Sequence, residues 1–447
     1  MSTPGARPFS HPITLVGAIV TTISAVLFLV FLLLDVIGVH TSPYLGILTF
    51  VALPALFVAG LLLIPLGARQ ARRRAARGES AAWPVLDLNH RSARRVVLTI
   101  AALTVVNVVI VALATVKGVE YVDSVPFCGG VCHTAMEPES IAHRGGPHAA
   151  VTCTSCHVGP GAAGFAQAKL GGVRRLVAVM RGNYARPIAV PVHDLPTTQG
   201  TCQRCHDPRA WIGDRLRKVP VFNDDETNTD QTEVLTILAG GGGWERGGPQ
   251  GAHWHASPDH RVEYIATDPA RDTIAWVRVV DRDGKTRDYA GGADPGKIPA
   301  GERRVMDCVD CHNRTGHPFA ISTARAVDEA LASGLLPSLP FIRREAVAAL
   351  DAAAKEPGGT TGAGRIEAFY TGSYPALAGD ARLRRATAGL DALEARYLFP
   401  AMKVGFGTYP DRSTHADDKG CFRCHDEEHK TADGRAISQD CELCHRQ

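Results

Sequence analysis

The twelve cysteines of this 447-residue chain are its most reactive side chains, and none precedes residue 128. They fall into six units. Five share one form: Cys153-Thr-Ser-Cys156-His157, Cys202-Gln-Arg-Cys205-His206, Cys308-Val-Asp-Cys311-His312, Cys421-Phe-Arg-Cys424-His425 and Cys441-Glu-Leu-Cys444-His445. The first unit is longer, Cys128-Gly-Gly-Val-Cys132-His133. Two thiols followed directly by an imidazole are the attachment signature of c-type haem: the thiols become thioethers to the vinyl groups, and the histidine reaches the iron. A disulfide framework or a zinc ribbon also uses cysteines in pairs, but neither has a reason to place histidine after every second cysteine. The expectation is six covalently bound haem c groups, with His133, His157, His206, His312, His425 and His445 as near-side ligands. In the first motif, Gly129 and Gly130 are expected to supply the turn that the longer spacing needs.

An electron-transfer haem usually fills its second axial position, and histidine is the obvious donor. Nine histidines after the first motif lie outside the motifs, enough for all six irons. His148 precedes the second motif, His193 the third and His415 the fifth, while His317 follows the fourth and His429 the fifth. Each of these is placed to lean over a neighbouring haem. In His253-Trp254-His255 an extended backbone would put both histidines on one face, and only one, His255, is taken as a ligand. His143 and His260 are read as surface or supporting groups. Met136, three residues after His133, shares its face if the turn is helical, so it competes with His133 for the near side of the first haem.

These sites need an anchor and a scaffold. Ile13 to Val36 is apolar apart from Asp35, Tyr44 to Ala68 has no charge, and Val96 to Val116 has none either. Each is long enough to span about 30 Å of hydrocarbon as a helix. A cleaved signal peptide is the rival reading of the first run, but the run exceeds a usual signal core and no A-x-A site follows it. Arg69 to Arg95 carries eight arginines against Glu79 and Asp87, which places that loop in the cytoplasm. The third helix then delivers every cysteine to the outer side.

The formal charge of +3 and the lack of a long basic stripe exclude nucleic acid as an expected partner. Beyond the anchor, the run around Asp283-Gly284 reads as a hairpin within Tyr264 to Tyr289. Ala324 to Ser333, Arg343 to Lys355 and Asp380 to Leu398 read as amphipathic helices, and Gly240 to Gly251 as a loop without the strand and helix of a phosphate cradle. The fold class expected is mainly α: three transmembrane helices, then a loop-rich multihaem domain with a small β-hairpin. The divisions are 1–95 for two helices and the basic loop, 96–215 for the third helix and three haems, and 216–447 for three more.

Phe127-Cys-Gly-Gly-Val-Cys-His-Thr-Ala-Met-Glu-Pro-Glu139, Pro147-His-Ala149, Cys153-Thr-Ser-Cys-His-Val-Gly-Pro-Gly-Ala162 and Lys169-Leu-Gly-Gly172 resemble the NapC/NirT type of membrane-anchored, quinol-oxidising multihaem cytochrome. Members similar in this stretch share the variant first motif with a methionine after it. The later motifs, with His253-Trp-His255, look like the larger inner-membrane cytochromes of metal-reducing bacteria. The resemblance implies that menaquinol or ubiquinol gives electrons to the first haem and that periplasmic cytochromes or a terminal reductase receive them. It implies Lys169 near the quinol headgroup, with Glu137 and Glu139 the nearest carboxylates to accept released protons. Smaller relatives carry an aspartate further along, where this chain has Arg174 and Arg175, and their anchor is a single helix. The alternative function is a reductase of a nitrogen or sulfur oxyanion with one haem open to substrate.

Overall fold

Pro12 starts the first helix, where its missing N–H costs nothing, and α1 runs Pro12–Val36 through the first apolar stretch. The computed structural model describes residues 12–36, 52–75, 89–131, 133–159, 161–192, 195–207, 210, 213–240, 251–292 and 298–446. α2 spans Leu53–Ala75 and ends later than the apolar run to Ala68 implies, because Ala, Arg and Gln at its end are strong helix formers and carry the helix into the arginine segment. α3 spans Arg91–Val122. Windows at Ile13–Phe31, Leu53–Ala71 and Val105–Val122 are long and apolar enough to cross a membrane.

The chain forms two units, Met1–Val131 and Cys132–Gln447. In the first, α1 and α2 pack closely through small residues, as helices must where no hydrophobic effect drives them together. A Cβ placed on Gly60 would lie 2.8 Å from the Thr21 amide nitrogen and 2.9 Å from the Gly17 carbonyl oxygen. Gly60→Leu is therefore expected to lower the thermal midpoint of the detergent-solubilised protein by several degrees, whereas Leu62→Ala, on a face that is 60% exposed, leaves it unchanged. Equal midpoints for both variants would refute this packing. α4, Val125–Val131, completes the unit.

The second unit begins with α5 (His133–Arg144), α6 (Cys153–His157) and α7 (Gly161–Met180). Two antiparallel sheets follow. β1 (Arg215–Val219) and β2 (Glu233–Ile237) pair and are joined much later by β7 (His445–Arg446). β3 (His260–Ala266), β4 (Ile274–Asp281), β5 (Thr286–Ala290) and β6 (Arg303–Val305) form a four-stranded sheet in the order β5-β4-β3-β6. The Asp283-Gly284 hairpin is present, with Gly284 at φ +80°, but it belongs to a larger sheet than the sequence implies. Val262, Tyr264, Val277 and Val279 fill one core of that sheet, and Ile265, Trp276 and Ala290 another.

The fourth motif forms a short helix, α8 (Cys308–Cys311), and between it and the fifth lies a helical cluster: α9 (Thr323–Ala332), α10 (Ile342–Lys355), α11 (Gly362–Ser373) and α12 (Ala381–Tyr397). Ser322, Thr361 and Asp380 cap three of these by accepting from Arg325, Gly364 and Arg382 amides. In α12 the buried Leu383, Ala386, Leu390, Leu393 and Tyr397 recur at helical spacing and meet Val327, Leu336, Leu350 and Ile366. A second core sets Ala135 and Ala142 of α5 against Phe319, Phe399, Met402 and Tyr409, which ties the first helix of this unit to segments flanking α9 and α12.

Candidate haem sites

Each described C-x-x-C-H motif folds as one helical turn. The amides of His206, His312 and His425 donate to the carbonyls of Cys202, Cys308 and Cys421 at 2.8, 2.7 and 3.0 Å, and Cys153–His157 is itself α6. Residues i, i+3 and i+4 of such a turn share a face, so both thiols and the imidazole are presented together to one flat ligand. In the first motif Cys128, Gly129 and Gly130 lie inside α4, so the longer spacing follows helical backbone instead of a glycine turn. Cys132 and the side chain of His133 lie outside the described residues.

Across from five motif histidines stands another histidine. The ring centres are 6.1 Å apart for His157 and His317, 6.0 Å for His206 and His148, 6.1 Å for His312 and His253, 5.9 Å for His425 and His255, and 6.0 Å for His445 and His415. A metal–imidazole bond is about 2 Å long and the ring centre lies about 1 Å beyond the nitrogen, so two imidazoles on opposite sides of one metal have centres about 6 Å apart. The five pairs fit a haem iron between them. Among the described residues no group of three or more His, Cys, Asp and Glu is set to hold a bare metal ion. A haem needs only two protein ligands, because the porphyrin supplies the other four.

Tautomers agree with this reading. Nδ1 of His148 faces the Thr315 carbonyl at 3.2 Å, His255 the Ala252 carbonyl at 3.3 Å, His317 the Glu139 carbonyl at 2.9 Å, and His425 the Ser438 carbonyl at 2.7 Å. His253 Nδ1 faces the Ala239 carbonyl. A proton on Nδ1 leaves the lone pair on Nε2, the form a metal requires. Burial lowers the pKa of His253, His312 and His317, and takes His255 to about 4. His157 keeps solvent contact, yet desolvation by the surrounding protein, with His317, Arg175 and His143, also brings it to about 4. Neutral imidazole, the ligating state, is thus favoured at all five.

The Gly251–Ala256 segment is a 3-10 helix and not extended, which changes the sequence reading of His253-Trp254-His255. Three residues per turn set positions i and i+2 about 240° apart, so the two histidines diverge to different partners. His253, passed over in favour of His255, faces His312, while Trp254 stacks on His260 at 3.6 Å. The count of donors gave no signal for it, because six distal histidines were already matched to six motifs. His260 directs Nε2 at the Trp254 carbonyl. His429 is 2% exposed, with Nδ1 at 2.9 Å from the Asp426 carboxylate and Nε2 at 3.0 Å from the Ile274 carbonyl, so neither nitrogen offers a lone pair without losing a hydrogen bond. His143 is buried, its Nδ1 makes no hydrogen bond, and its ring centre also stands 6.1 Å from His317.

Met136 sits half-buried on α5, one turn after His133. On the same helix Glu137 is exposed, whereas Glu139 is buried against His317 and its carboxyl is pushed up to about 7 by desolvation, with Arg314 pulling the other way. Lys169 belongs to α7, but its side chain lies outside the described residues, as does His193 entirely.

No family model and no solved structure matches the chain. The cytochrome c-type protein ImcH of Geobacter sulfurreducens is 36% identical over 446 aligned residues, covering 97% of this chain and 87% of that protein. That likeness carries electron transfer and covalently bound haem c with it. By identity and coverage together with its paired histidines, the chain belongs to the ImcH family of c-type cytochromes.

Proposed function

We propose that this protein is a membrane-anchored hexahaem cytochrome of NapC/NirT type that oxidises menaquinol or ubiquinol and passes the electrons outward to periplasmic cytochromes or a terminal reductase. The observation that carries the conduit is the set of five histidine pairs at about 6 Å, which closes both axial positions at motifs two to six. Closed positions favour electron transfer over a reductase with a substrate-binding iron. Bound haem supplies a one-electron centre, and the protein's part is to hold it, exclude water and set its potential.

The electron source is argued from position. The first motif directly follows the third apolar helix, and the basic segment Arg69 to Arg95 orients that helix with its C-terminal end in the inner membrane's outer compartment. Quinol oxidation releases two protons, and Lys169, Glu137 and Glu139 are the groups offered to receive them. Met136 or His133 serves the first iron on its near side; a thioether there would raise its potential.

Stopped-flow visible spectroscopy of the oxidised, detergent-solubilised protein mixed with a menaquinol analogue tests the reading. A pyridine haemochrome is expected to count about six haems per chain, and part of the haem absorbance to reduce rapidly. If quinol leaves the haems oxidised while a small chemical donor reduces them, the quinol assignment fails and the conduit stands. A high-spin ferric signal that shifts with nitrite would instead favour the reductase.

A further inference from the structure

The geometry points to an ordered array. The haems of motifs two to six lie in chain order, each closed by a distal histidine from outside its own motif, and the sixth stands at the end of the array. This rests on the haem reading above and extends it to which histidine serves which iron. The pairs are His157 with His317, His206 with His148, His312 with His253, His425 with His255, and His445 with His415.

Contacts between motifs give the order. Cys156 of the second motif lies within electrostatic reach of Cys202 and Cys205 of the third. Cys308 of the fourth lies near Thr198, just before the third motif, and near Cys202, while His312 lies near His206. Arg423, inside the fifth motif, donates to the Asp310 carbonyl inside the fourth at 2.7 Å and to the Arg271 carbonyl at 2.9 Å. Cys444 of the sixth lies near Cys421 of the fifth, and His425 is held by the Ser438 carbonyl just before the sixth.

The distal ligands repeat these ties. His148 stands before the second motif and faces the third, and His415 stacks on Phe422 of the fifth at 4.3 Å while facing His445 of the sixth. His253 and His255, two residues apart on one 3-10 helix, clamp the fourth and fifth together. His317 follows the fourth motif and reaches the second, so motifs two, three and four gather, and five and six lead away. Cys441 is exposed at the end of the array, as Cys156, Cys205 and Cys421 are along it, so the sixth site stands last by these ties and not by exposure.

The pairing is tested on chemically poised holoprotein, so its outcome is independent of quinol. His415→Met should create one His/Met haem, seen as the far-red charge-transfer band of a ferric Met–Fe bond and a changed low-spin EPR signal. In Cys441→Ser/Cys444→Ser protein, which lacks the sixth haem, the same substitution should be silent. His255→Met should likewise be silent only without the fifth haem, in Cys421→Ser/Cys424→Ser protein, where His253→Met still gives its signal. His415→Gly, with low-spin character restored by added imidazole, covers a methionine that fails to ligate. A methionine signal that persists after its assigned haem is removed overturns the pairing, as does an unchanged spectrum in both His415 variants.

Discussion

Replacing Asp310 by alanine is expected to destabilise the haem-bearing unit by about 3–5 kcal/mol, the cost of leaving a buried charge without its partner. Asp310 lies between the two cysteines of the fourth motif and is 3% exposed. Tyr264 donates to its carboxylate at 2.6 Å, Arg271 stands 3.3 Å away, and the Asp307 amide donates to the other oxygen at 2.9 Å. Arg271 is itself buried, so alanine would strand a guanidinium as well as two donors. Tyr264→Phe removes one donor and should cost about 1–3 kcal/mol, less than the aspartate. Denaturant unfolding of the holoprotein, followed by haem absorbance, separates the cases. A loss for Asp310→Ala no larger than for Tyr264→Phe would show that the ion pair is not what holds this motif.

The same carboxylate marks the limit of what the sequence could say. The C-x-x-C-H pattern needs one helical turn and nothing distant, so the motifs, like the three apolar helices, were legible from local spacing. The helices at Thr323–Ala332, Ile342–Lys355 and Ala381–Tyr397 were legible too, because their apolar residues recur at helical spacing. Gly362–Ser373 was missed: Gly362, Gly364 and Gly372 weaken its helical signal, and packing on α12 supplies what propensity does not. The four-stranded sheet was read as a hairpin because β6 joins β3 from 37 residues beyond its end, Ala266 to Arg303, a pairing no local pattern announces.

Distal histidines are long-range for the same reason. His148 and His206 are 58 positions apart and His255 and His425 are 170 apart, so nearness to a motif in the chain selected candidates without selecting partners. His429 shows how that rule errs: it follows the fifth motif closely, yet Asp426 and the Ile274 carbonyl occupy its two nitrogens. His253 errs the other way, since an extended backbone would have made it redundant and the 3-10 turn sets it opposite His312.

Cutting the array at its middle should have the largest functional effect. In Cys308→Ser/Cys311→Ser protein the proposed fourth haem is not attached, which leaves those of motifs one to three and those of motifs five and six. If order follows the chain, reduction by a menaquinol analogue should stay rapid for the first three and become slower by orders of magnitude for the last two. Reduction by a small soluble donor should reach both sets, because Cys156 and Cys205 are exposed before the cut and Cys421 and Cys441 after it. Removing the sixth haem instead should leave quinol reduction of the other five rapid while slowing delivery to a soluble acceptor. The contrast matters because a compact cluster with many parallel contacts would tolerate either loss. Motif four lies beside Thr198, just before motif three, and is hydrogen-bonded to motif five through Arg423, and His253 and His255 face the histidines of motifs four and five. On the proposed order, electrons bound for the sixth haem have the fourth in their path, and equal quinol reduction of all five remaining haems would refute that order.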